Sequence, residues 1–409
     1  MKRIAVRILD LRVFFSGLLP LFVIAHFGHH VVGAMLNPLM PMIRTELGLR
    51  YTEAGVVISA FAVTNGISQL PSGWLADRFG ARLMVVISVS GVAVAGLLIG
   101  LSTSYLTLIV FLVLTAILGG GYHPASASAI STMVSPERRG RALGLHLIGG
   151  SSTFWVIPLV AAPIAATFGW RGPYVILTIP VIVLGIVLYY LIGRRQRIAL
   201  SKPELFSQRI PPTPGRIQWR VLLPFLVLSV GTGMIIQSIG AYYSLFAVDQ
   251  LKVPEATAAA LMAITPAVGA LAAPFGGYLS DRFGGVRVII IASLLAAPLL
   301  YALSLVSNVT SFVALLLFIG GVTMTRMPTS EAFIVSNIPE KRRSTILGIY
   351  FFAGAEMAGL MTPLVGHLID RLGFGTVFTV AAVSQAIVAA ICSVFLWRTR
   401  TSVANSTSD

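Results

Sequence analysis

Twelve apolar runs, each roughly 20 to 28 residues long, dominate this sequence of 409 residues. They begin near residues 15, 54, 83, 106, 143, 172, 221, 257, 287, 310, 345 and 374. A run of this length is sufficient to cross the hydrocarbon core of a bilayer, which is about 30 Å thick. The chain is 56% hydrophobic and only 11% charged, unlike a soluble domain. The pattern predicts an all-α membrane protein with twelve transmembrane helices.

The basic residues of the loops indicate how these spans are oriented. An even number of spans places both termini on one side, and the loops there hold 23 Lys and Arg residues against five in the opposite loops. Because short cytoplasmic loops carry the excess of Lys and Arg, we expect a multi-pass protein of the inner (plasma) membrane with both termini cytoplasmic. The net charge of +15 has the same origin, so we expect contact with membrane lipid and no nucleic-acid partner.

The longest hydrophilic connection divides the apolar runs six and six. Residues 194–220 are rich in Arg and Pro, as in a linker. We therefore expect an N-terminal six-helix half over 1–193, a cytoplasmic linker loop over 194–220 and a C-terminal six-helix half over 221–409. The segment GWLADRFG at 73–80 returns as GYLSDRFG at 277–284, an offset of 204 residues. A duplicated six-span unit explains this repeat and predicts two pseudo-symmetric halves.

The repeated motif is part of a wider resemblance. The segment GWLADRFGAR from Gly73, its reduced copy ending in Asp281-Arg282-Phe283-Gly284, FGWRGPYVIL from Phe168 and the six-plus-six layout resemble the major facilitator superfamily of twelve-span transporters. AHFGHH in the first run and GGGYHPAS in the fourth resemble the branch that contains fosmidomycin-resistance exporters. The resemblance implies two halves that rock about a cavity lined by the first, fourth, seventh and tenth helices.

The two copies of the motif are candidates for a conformational role. Gly73 lets two helices approach closely, and Asp77 can accept hydrogen bonds from a helix N-terminus or pair with a neighbouring arginine. Such contacts can break and re-form during transport, and Glu331 near the cytoplasmic end of the tenth run can belong to the same gate. The expected gating residues are Gly73, Asp77, Arg78, Arg82, Asp281, Arg282 and Glu331.

Polar residues inside the apolar runs are the candidate binding residues, since an ionisable group near the bilayer centre costs about 2.5–3.5 kcal/mol. His26, His30 and Asn37 share one face of the first helix. Arg326 is a permanent cation that suits a carboxylate, phosphonate or sulfonate, unless it forms a structural pair with Glu331 or Glu356. The expected substrate-binding residues are His26, His30, Asn37, Tyr122, His123, Gln237, Tyr242, Tyr243 and Arg326.

Three of the intramembrane groups are candidates for proton coupling. Glu356 lies some twelve residues into the eleventh run, and an unperturbed histidine changes its charge near neutral pH, which makes His26 and His123 competing candidates. His26, His29 and His30 could geometrically share a metal ion, but no carboxylate-rich set accompanies them. We therefore expect no metal site and no cofactor.

These features favour a secondary active transporter that works by alternating access. Arg326 and the histidines favour proton symport of a small organic anion. The alternative is a proton-coupled exporter of a drug or metabolite, an antiporter, favoured by IPLVAA at 157–162, which resembles the exporters' glycine-proline motif.

Other function classes lack support in the sequence. No loop between spans carries a nucleophile–base or metal-ligand cluster, so we do not expect an enzyme. A non-transporting membrane sensor would bring a soluble output domain, and the tail after Trp397 is too short to be one. Since a twelve-span unit is sufficient for transport, we expect a monomer whose partners are a small-molecule solute, protons and lipid.

Overall fold

A computed structural model of the chain describes residues 19–133, 139–199, 219–337 and 340–405. Fifteen α-helices and no strand occur in these ranges, which confirms the predicted all-α membrane fold. The first seven helices are α1 Leu19–Leu47, α2 Tyr51–Phe79, α3 Ala81–Gly100, α4 Tyr105–Gly119, α5 Tyr122–Met133, α6 Arg139–Phe168 and α7 Arg171–Ala199. The remaining eight are α8 Trp219–Gly240, α9 Tyr243–Asp249, α10 Glu255–Leu261, α11 Ile264–Phe283, α12 Gly285–Ser304, α13 Val309–Met324, α14 Arg326–Asn337 and α15 Glu340–Asn405.

The helices correspond to the twelve predicted spans. Eight segments of the described residues are long and apolar enough to cross a membrane, by length and composition. The last of them, Phe352–Leu396, contains two of the predicted runs, because Gly373 interrupts α15 with φ of 75°. The second predicted run is α2, and the fourth and tenth runs are the broken pairs α4–α5 and α13–α14.

A proline follows three of the breaks within spans. A proline lacks the N–H that would bond to the carbonyl four residues earlier, and its ring crowds that carbonyl. The helices break at Gly120, Met262 and Thr325 or at the residue beside them. Four residues separate Pro124 from Gly120 and Pro266 from Met262, and three separate Pro328 from Thr325. The fourth, eighth and tenth spans are discontinuous at these positions, whereas Pro38 and Pro158 lie within continuous helices, so a proline favours a break without being sufficient for one.

The internal repeat is visible in the backbone. Gly80 and Gly284 each have φ of 86°, and Gly169 and Gly373 have φ of 68° and 75°. The members of each pair are one repeat offset of 204 residues apart. Because side chains rarely adopt positive φ, glycine is the residue that allows these helix junctions. The same junctions at the same offset are what a pseudo-symmetric pair of halves requires.

The described residues form two compact units. Unit 1 lies within Met1–Met42 and Ala60–Ile210, and unit 2 lies within Ile43–Ser59 and Pro211–Asp409. The end of α1 and the start of α2 therefore belong to unit 2. Most of the expected linker 194–220 lies outside the described residues.

Candidate binding residues in the two units

Five of the six histidines of the chain lie together in unit 1. His26, His29 and His30 follow one another on α1, His123 lies on α5 and His146 lies on α6. The ring centroid of His26 is 4.2 Å from that of His146 and 5.2 Å from that of His123. The His30 and His123 centroids are 5.4 Å apart. Three helices thus contribute to one imidazole cluster, and the prediction that α1 carries a polar face leads directly to it.

The hydrogen bonds of His26 fix its tautomer. Its Nδ1 lies 2.9 Å from the carbonyl oxygen of His146. A carbonyl only accepts, so Nδ1 carries the proton and Nε2 of the neutral ring has a free lone pair. That Nε2 lies 3.2 Å from Nε2 of His30. The two nitrogens are close enough to share one hydrogen or to bind one cation together.

His146 holds this arrangement in place, although sequence reasoning missed it. Its Nδ1 donates to the carbonyl of Phe22 at 3.1 Å, and its Nε2 lies 3.3 Å from the hydroxyl of Ser126. The hydroxyl of Tyr122 donates to the same Phe22 carbonyl at 3.1 Å. Both ring nitrogens of His146 are therefore occupied. Its ring and carbonyl position His26, whose Nε2 remains available. Nδ1 of the buried His29 also has no hydrogen-bond partner among the described residues.

A glycine permits the close approach of α6 to α1. A Cβ added at Gly150 would lie 2.5 Å from Cε1 of the His26 ring, far inside van der Waals contact. The Gly149-Gly150 pair in the fifth run is the sequence signal that could have pointed to this contact.

The five rings of the cluster differ in burial. His26, His29 and His146 are buried, whereas His30 and His123 are half-buried. Asn37 is half-buried as well, but it follows His30 by seven residues and lies about 10 Å farther along the axis of α1. The structure thus brings together His26, His30, Tyr122 and His123 of the expected binding residues, with Asn37 farther away.

In unit 2, Arg326 is buried at the start of α14 with 6% of its surface exposed. Its Nη2 donates to the carbonyl of Ser229 at 3.0 Å and to the hydroxyl of Thr232. The Ser229 hydroxyl is in turn 2.8 Å from that of Ser330 and 3.0 Å from that of Tyr350. Nε of Arg326 has no hydrogen-bond partner in the described part of the chain. One face of the guanidinium group is therefore anchored to α8, and one donor remains available.

Glu356 on α15 is buried, with 7% of its surface exposed. Its Oε1 has no hydrogen-bond partner among the described residues. No ion pair joins Glu356 to Arg326, so the structural pair considered for these two residues is not formed in the described structure. The side chain of Glu331, the other considered partner, lies outside the described residues. An uncompensated buried carboxylate is costly, and a bound proton removes that cost.

The three expected binding residues of the seventh span have different surroundings. The Tyr242 hydroxyl donates to the carbonyl of Thr362 at 2.7 Å and is 3.2 Å from the carbonyl of Tyr51. The Tyr243 side chain is buried, and its hydroxyl has no partner among the described residues. Gln237 is exposed. Tyr243 and Gln237 are thus the residues of this span whose polar groups are available, whereas Tyr242 supports the packing of α15.

A second charged cluster in unit 2 was not anticipated from the sequence. Nη1 of Arg44 is 3.1 Å from Oδ2 of Asp249, and the Tyr51 hydroxyl donates to the same oxygen at 2.6 Å. The Arg44 guanidinium carbon lies 4.2 Å from the centre of the Tyr51 ring. Asp370 accepts hydrogen bonds from the backbone N–H groups of Tyr51 at 3.0 Å and of Thr52 at 2.8 Å. The carboxylate of Asp370 therefore caps the N-terminus of α2.

Part of the expected gating set lies within the described side chains. Arg82 donates from Nε to the carbonyl of Tyr189 at 2.9 Å, and its guanidinium group covers the Tyr189 ring, which joins α3 to α7. Arg78 is exposed, and Arg282 donates to the hydroxyl of Tyr278 at 3.0 Å. The expected gating residues outside the described side chains are Gly73, Asp77, Asp281 and Glu331.

Comparison with known proteins identifies relatives over most of the chain. The family model of the Major Facilitator Superfamily matches residues 22–354 and 226–408. Multidrug resistance protein MdtG of Salmonella typhimurium is 28% identical over 361 residues, which cover 85% of this chain and 88% of the relative. The protein of the same name from Enterobacter lignolyticus is also 28% identical, with 85% of each chain covered.

Solved structures share the fold at low sequence identity. A POT family transporter in complex with 5-aminolevulinic acid has a TM-score of 0.78 at 14% identity, covering 93% of this chain and 96% of that one. A bacterial homologue of the human lysosomal transporter Spinster, inward-facing and occupied, has a TM-score of 0.73 at 17% identity, covering 93% and 95%. These matches establish the architecture of the helices.

Proposed function

Because the chain belongs to the Major Facilitator Superfamily and is a multi-pass membrane transporter, we propose that it exports a small drug-like or metabolite molecule in exchange for protons. The observation that carries this proposal is the similarity to multidrug resistance proteins over 85% of the chain. The IPLVAA segment of α6, which resembles the exporters' motif, supports the same direction of transport. Export against a gradient needs a driving force, and one charge moving through 100 mV supplies about 2.3 kcal/mol.

Each unit contributes groups that suit proton coupling. In unit 2, Glu356 is buried and its Oε1 has no hydrogen-bond partner among the described residues, so a bound proton removes the cost of an uncompensated buried charge. In unit 1, His26 and His123 belong to the imidazole cluster, where an added proton places a positive charge among neutral rings. We assign the proton-carrying role to Glu356 first and to the two histidines as the competing site.

Transport of a small organic anion by proton symport is the second candidate function. Arg326 favours it, because a buried guanidinium group with a free Nε donor is suited to a carboxylate or phosphonate. On this alternative the anion binds at Nε of Arg326.

The remaining assignments concern the assembled protein. We infer that both termini are cytoplasmic, that the halves 1–193 and 221–409 are joined by the linker 194–220, and that a monomer surrounded by lipid is the transporting unit. We also infer that the protein moves its solute without chemical change and is not an enzyme.

The test uses purified protein in proteoliposomes that contain a pH-reporting dye. With an acidic lumen, addition of lipophilic cations outside makes the lumen more alkaline if the protein exchanges drug for protons. Glu356→Gln is expected to abolish this signal, and the control Glu46→Gln, an exposed carboxylate at the end of α1, is expected to retain it. Small organic anions should then cause no acidification.

The opposite pattern would establish the second candidate. If organic anions acidify the lumen, and Arg326→Gln abolishes the response while Glu46→Gln does not, the protein is an anion symporter. Proton movement that persists unchanged in Glu356→Gln would contradict the role of this residue and transfer it to the histidine cluster. If neither set of compounds moves protons, both candidate functions fail.

A further inference from the structure

We propose that His26, His30 and His123 form a binding site for a divalent transition-metal cation of the class of Zn²⁺, Co²⁺ and Ni²⁺. Each residue offers one ring nitrogen, and these nitrogens all lie within 4.8 Å of one another. This triad differs from the set His26, His29 and His30 considered from the sequence, because His123 from α5 takes the place of His29. This proposal concerns an ion and not the exported solute, so it goes beyond the function proposed above.

The separation of two ligand atoms fits a shared metal ion. Nε2 of His26 and Nε2 of His30 are 3.2 Å apart. With metal–nitrogen bonds of about 2.0–2.1 Å, this separation corresponds to an angle of about 103° at the metal, close to the tetrahedral value. The spacing i, i+4 on α1 places both rings on one face of the helix, so the pair is preformed by the helix itself.

The surroundings of His26 are those of a metal ligand. A ligating histidine usually donates its other ring N–H to a carbonyl or carboxylate, which fixes the tautomer and the direction of the lone pair. His26 donates Nδ1–H to the His146 carbonyl at 2.9 Å and stacks on the His146 ring at 4.2 Å. His146 is itself held by the carbonyl of Phe22. The His146 carbonyl and ring therefore fix the orientation of the His26 ring and the direction of its Nε2 lone pair.

The composition of the site determines the class of ion. Imidazole ligands suit Zn²⁺, Ni²⁺ and related ions, whereas Mg²⁺ and Ca²⁺ require oxygen ligands. No carboxylate side chain is among those described in unit 1, and the one cysteine, Cys392, belongs to unit 2. Three neutral ligands leave the charge of the ion uncompensated, and the half-buried faces of His30 and His123 leave a fourth position open. Such a site binds its ion reversibly.

The binding test uses the full-length protein in detergent, purified with an affinity tag that contains no histidine. Co²⁺ is the probe, because tetrahedral nitrogen coordination gives it a strong visible absorption band, and equilibrium dialysis counts the bound ions. We expect one Co²⁺ per chain, displaced by Zn²⁺ and not by the same concentration of Mg²⁺. His30→Gln and His123→Gln should each weaken binding by more than about 100-fold, since even second-shell losses cost 10–100-fold.

The matched control is His367→Gln. His367 is the sixth histidine of the chain, lies on α15 in unit 2 and is exposed. The His367→Gln variant should bind Co²⁺ as tightly as the unsubstituted protein does. Thermal unfolding without metal checks that each variant folds, and because both side chains are half-buried, either of His30→Gln and His123→Gln decides the matter if the other does not fold.

Three results would overturn the proposal. The unsubstituted protein could bind no Co²⁺, which would mean that His26 and His30 share a hydrogen and not a cation. Binding could persist in folded His30→Gln, which would place the ion elsewhere. Binding could also fall equally in His367→Gln, which would show coordination by surface histidines.

Discussion

Removing the charge of Asp249 should loosen the packing of residues 43–59 within unit 2. This segment connects the end of α1 to the start of α2, and Arg44 and Tyr51 both hold the same Asp249 oxygen. Asp249→Asn keeps the size of the side chain and an acceptor oxygen for Tyr51 but removes the negative charge. The substitution therefore isolates the ion pair from the packing around it.

The size of the effect follows from the distance and the exposure. Two unit charges 3.1 Å apart attract by about 1 kcal/mol in water and by about 5 kcal/mol at an effective dielectric constant of 20. The two side chains are 25% and 24% exposed, so solvent screening and lost side-chain entropy reduce this gain. We expect a net loss of about 1–2 kcal/mol, which corresponds to a 5- to 30-fold rise in the population of the detached segment.

Thiol labelling measures that population. The only cysteine of the chain, Cys392, is buried and can be replaced in Cys392→Ser. Val57 lies in α2 and is 0% exposed, so the thiol of Val57→Cys reacts with a maleimide only when the segment opens. When reclosing is faster than labelling, the labelling rate reports the free energy of opening. Asp249→Asn and Arg44→Gln should each raise the rate by 5- to 30-fold.

A double-mutant cycle gives the decisive comparison. Because the two residues form one pair, Arg44→Gln combined with Asp249→Asn should raise the rate little more than either alone. Arg50→Gln is the control, since its side chain lies in the same segment but is 72% exposed in its pair with Glu53. It should change the rate by less than about twofold. Additive effects in the double mutant, or unchanged rates in the single mutants, would refute the reasoning.

Two further predictions concern glycines. Gly150→Ala would place a Cβ 2.5 Å from Cε1 of His26 and should cost about 1–3 kcal/mol by overpacking, seen as a lower thermal unfolding temperature and weaker Co²⁺ binding. Gly144→Ala in the same helix meets nothing within 4 Å and should show neither effect; equal behaviour of the two variants would contradict the close approach. Gly373→Ala should cost about 1–2 kcal/mol of unfolding free energy, because φ is 75° at this position. Helical Gly375→Ala is the control and should be neutral or stabilising. Thermal unfolding measures both variants, and a neutral Gly373→Ala would disprove the strain.

The spans could be predicted from the sequence because hydropathy and bilayer thickness together determine them. The discontinuities are only partly local: the breaks at Gly120, Met262 and Thr325 each precede a proline by three or four residues, but other prolines, such as Pro158 and Pro298, lie inside continuous helices. Repeat-related junctions such as Gly80 and Gly284 are equally visible in the sequence, because the motif around them is duplicated.

The contacts between distant residues could not be read in the same way. His26 and His30 are four residues apart on one helix, so their proximity is predictable, but His146 is 120 residues from His26. Its place depends on which helices pack together, and the only local signal is the Gly149-Gly150 pair. Arg44 and Asp249 are 205 residues apart, close to the repeat offset of 204. Opposite charges at nearly equivalent positions of two repeats are a usable signal for such a pair.

A proton adds one positive charge to either unit, and this shared effect links both candidate coupling sites to the charge of the solute. In unit 1 a proton adds positive charge to a cluster of neutral imidazoles, which opposes the binding of a metal ion or any other cation. In unit 2 a proton on Glu356 removes a negative charge and leaves Arg326 as a buried cation of that unit, which favours an anion. Release of that proton restores the negative charge of Glu356 and favours a cation, so exchange of a cationic drug for protons fits Glu356 as well as the histidine cluster. If Glu356→Gln leaves this exchange intact while His30→Gln abolishes it, the histidine cluster and not Glu356 carries the proton.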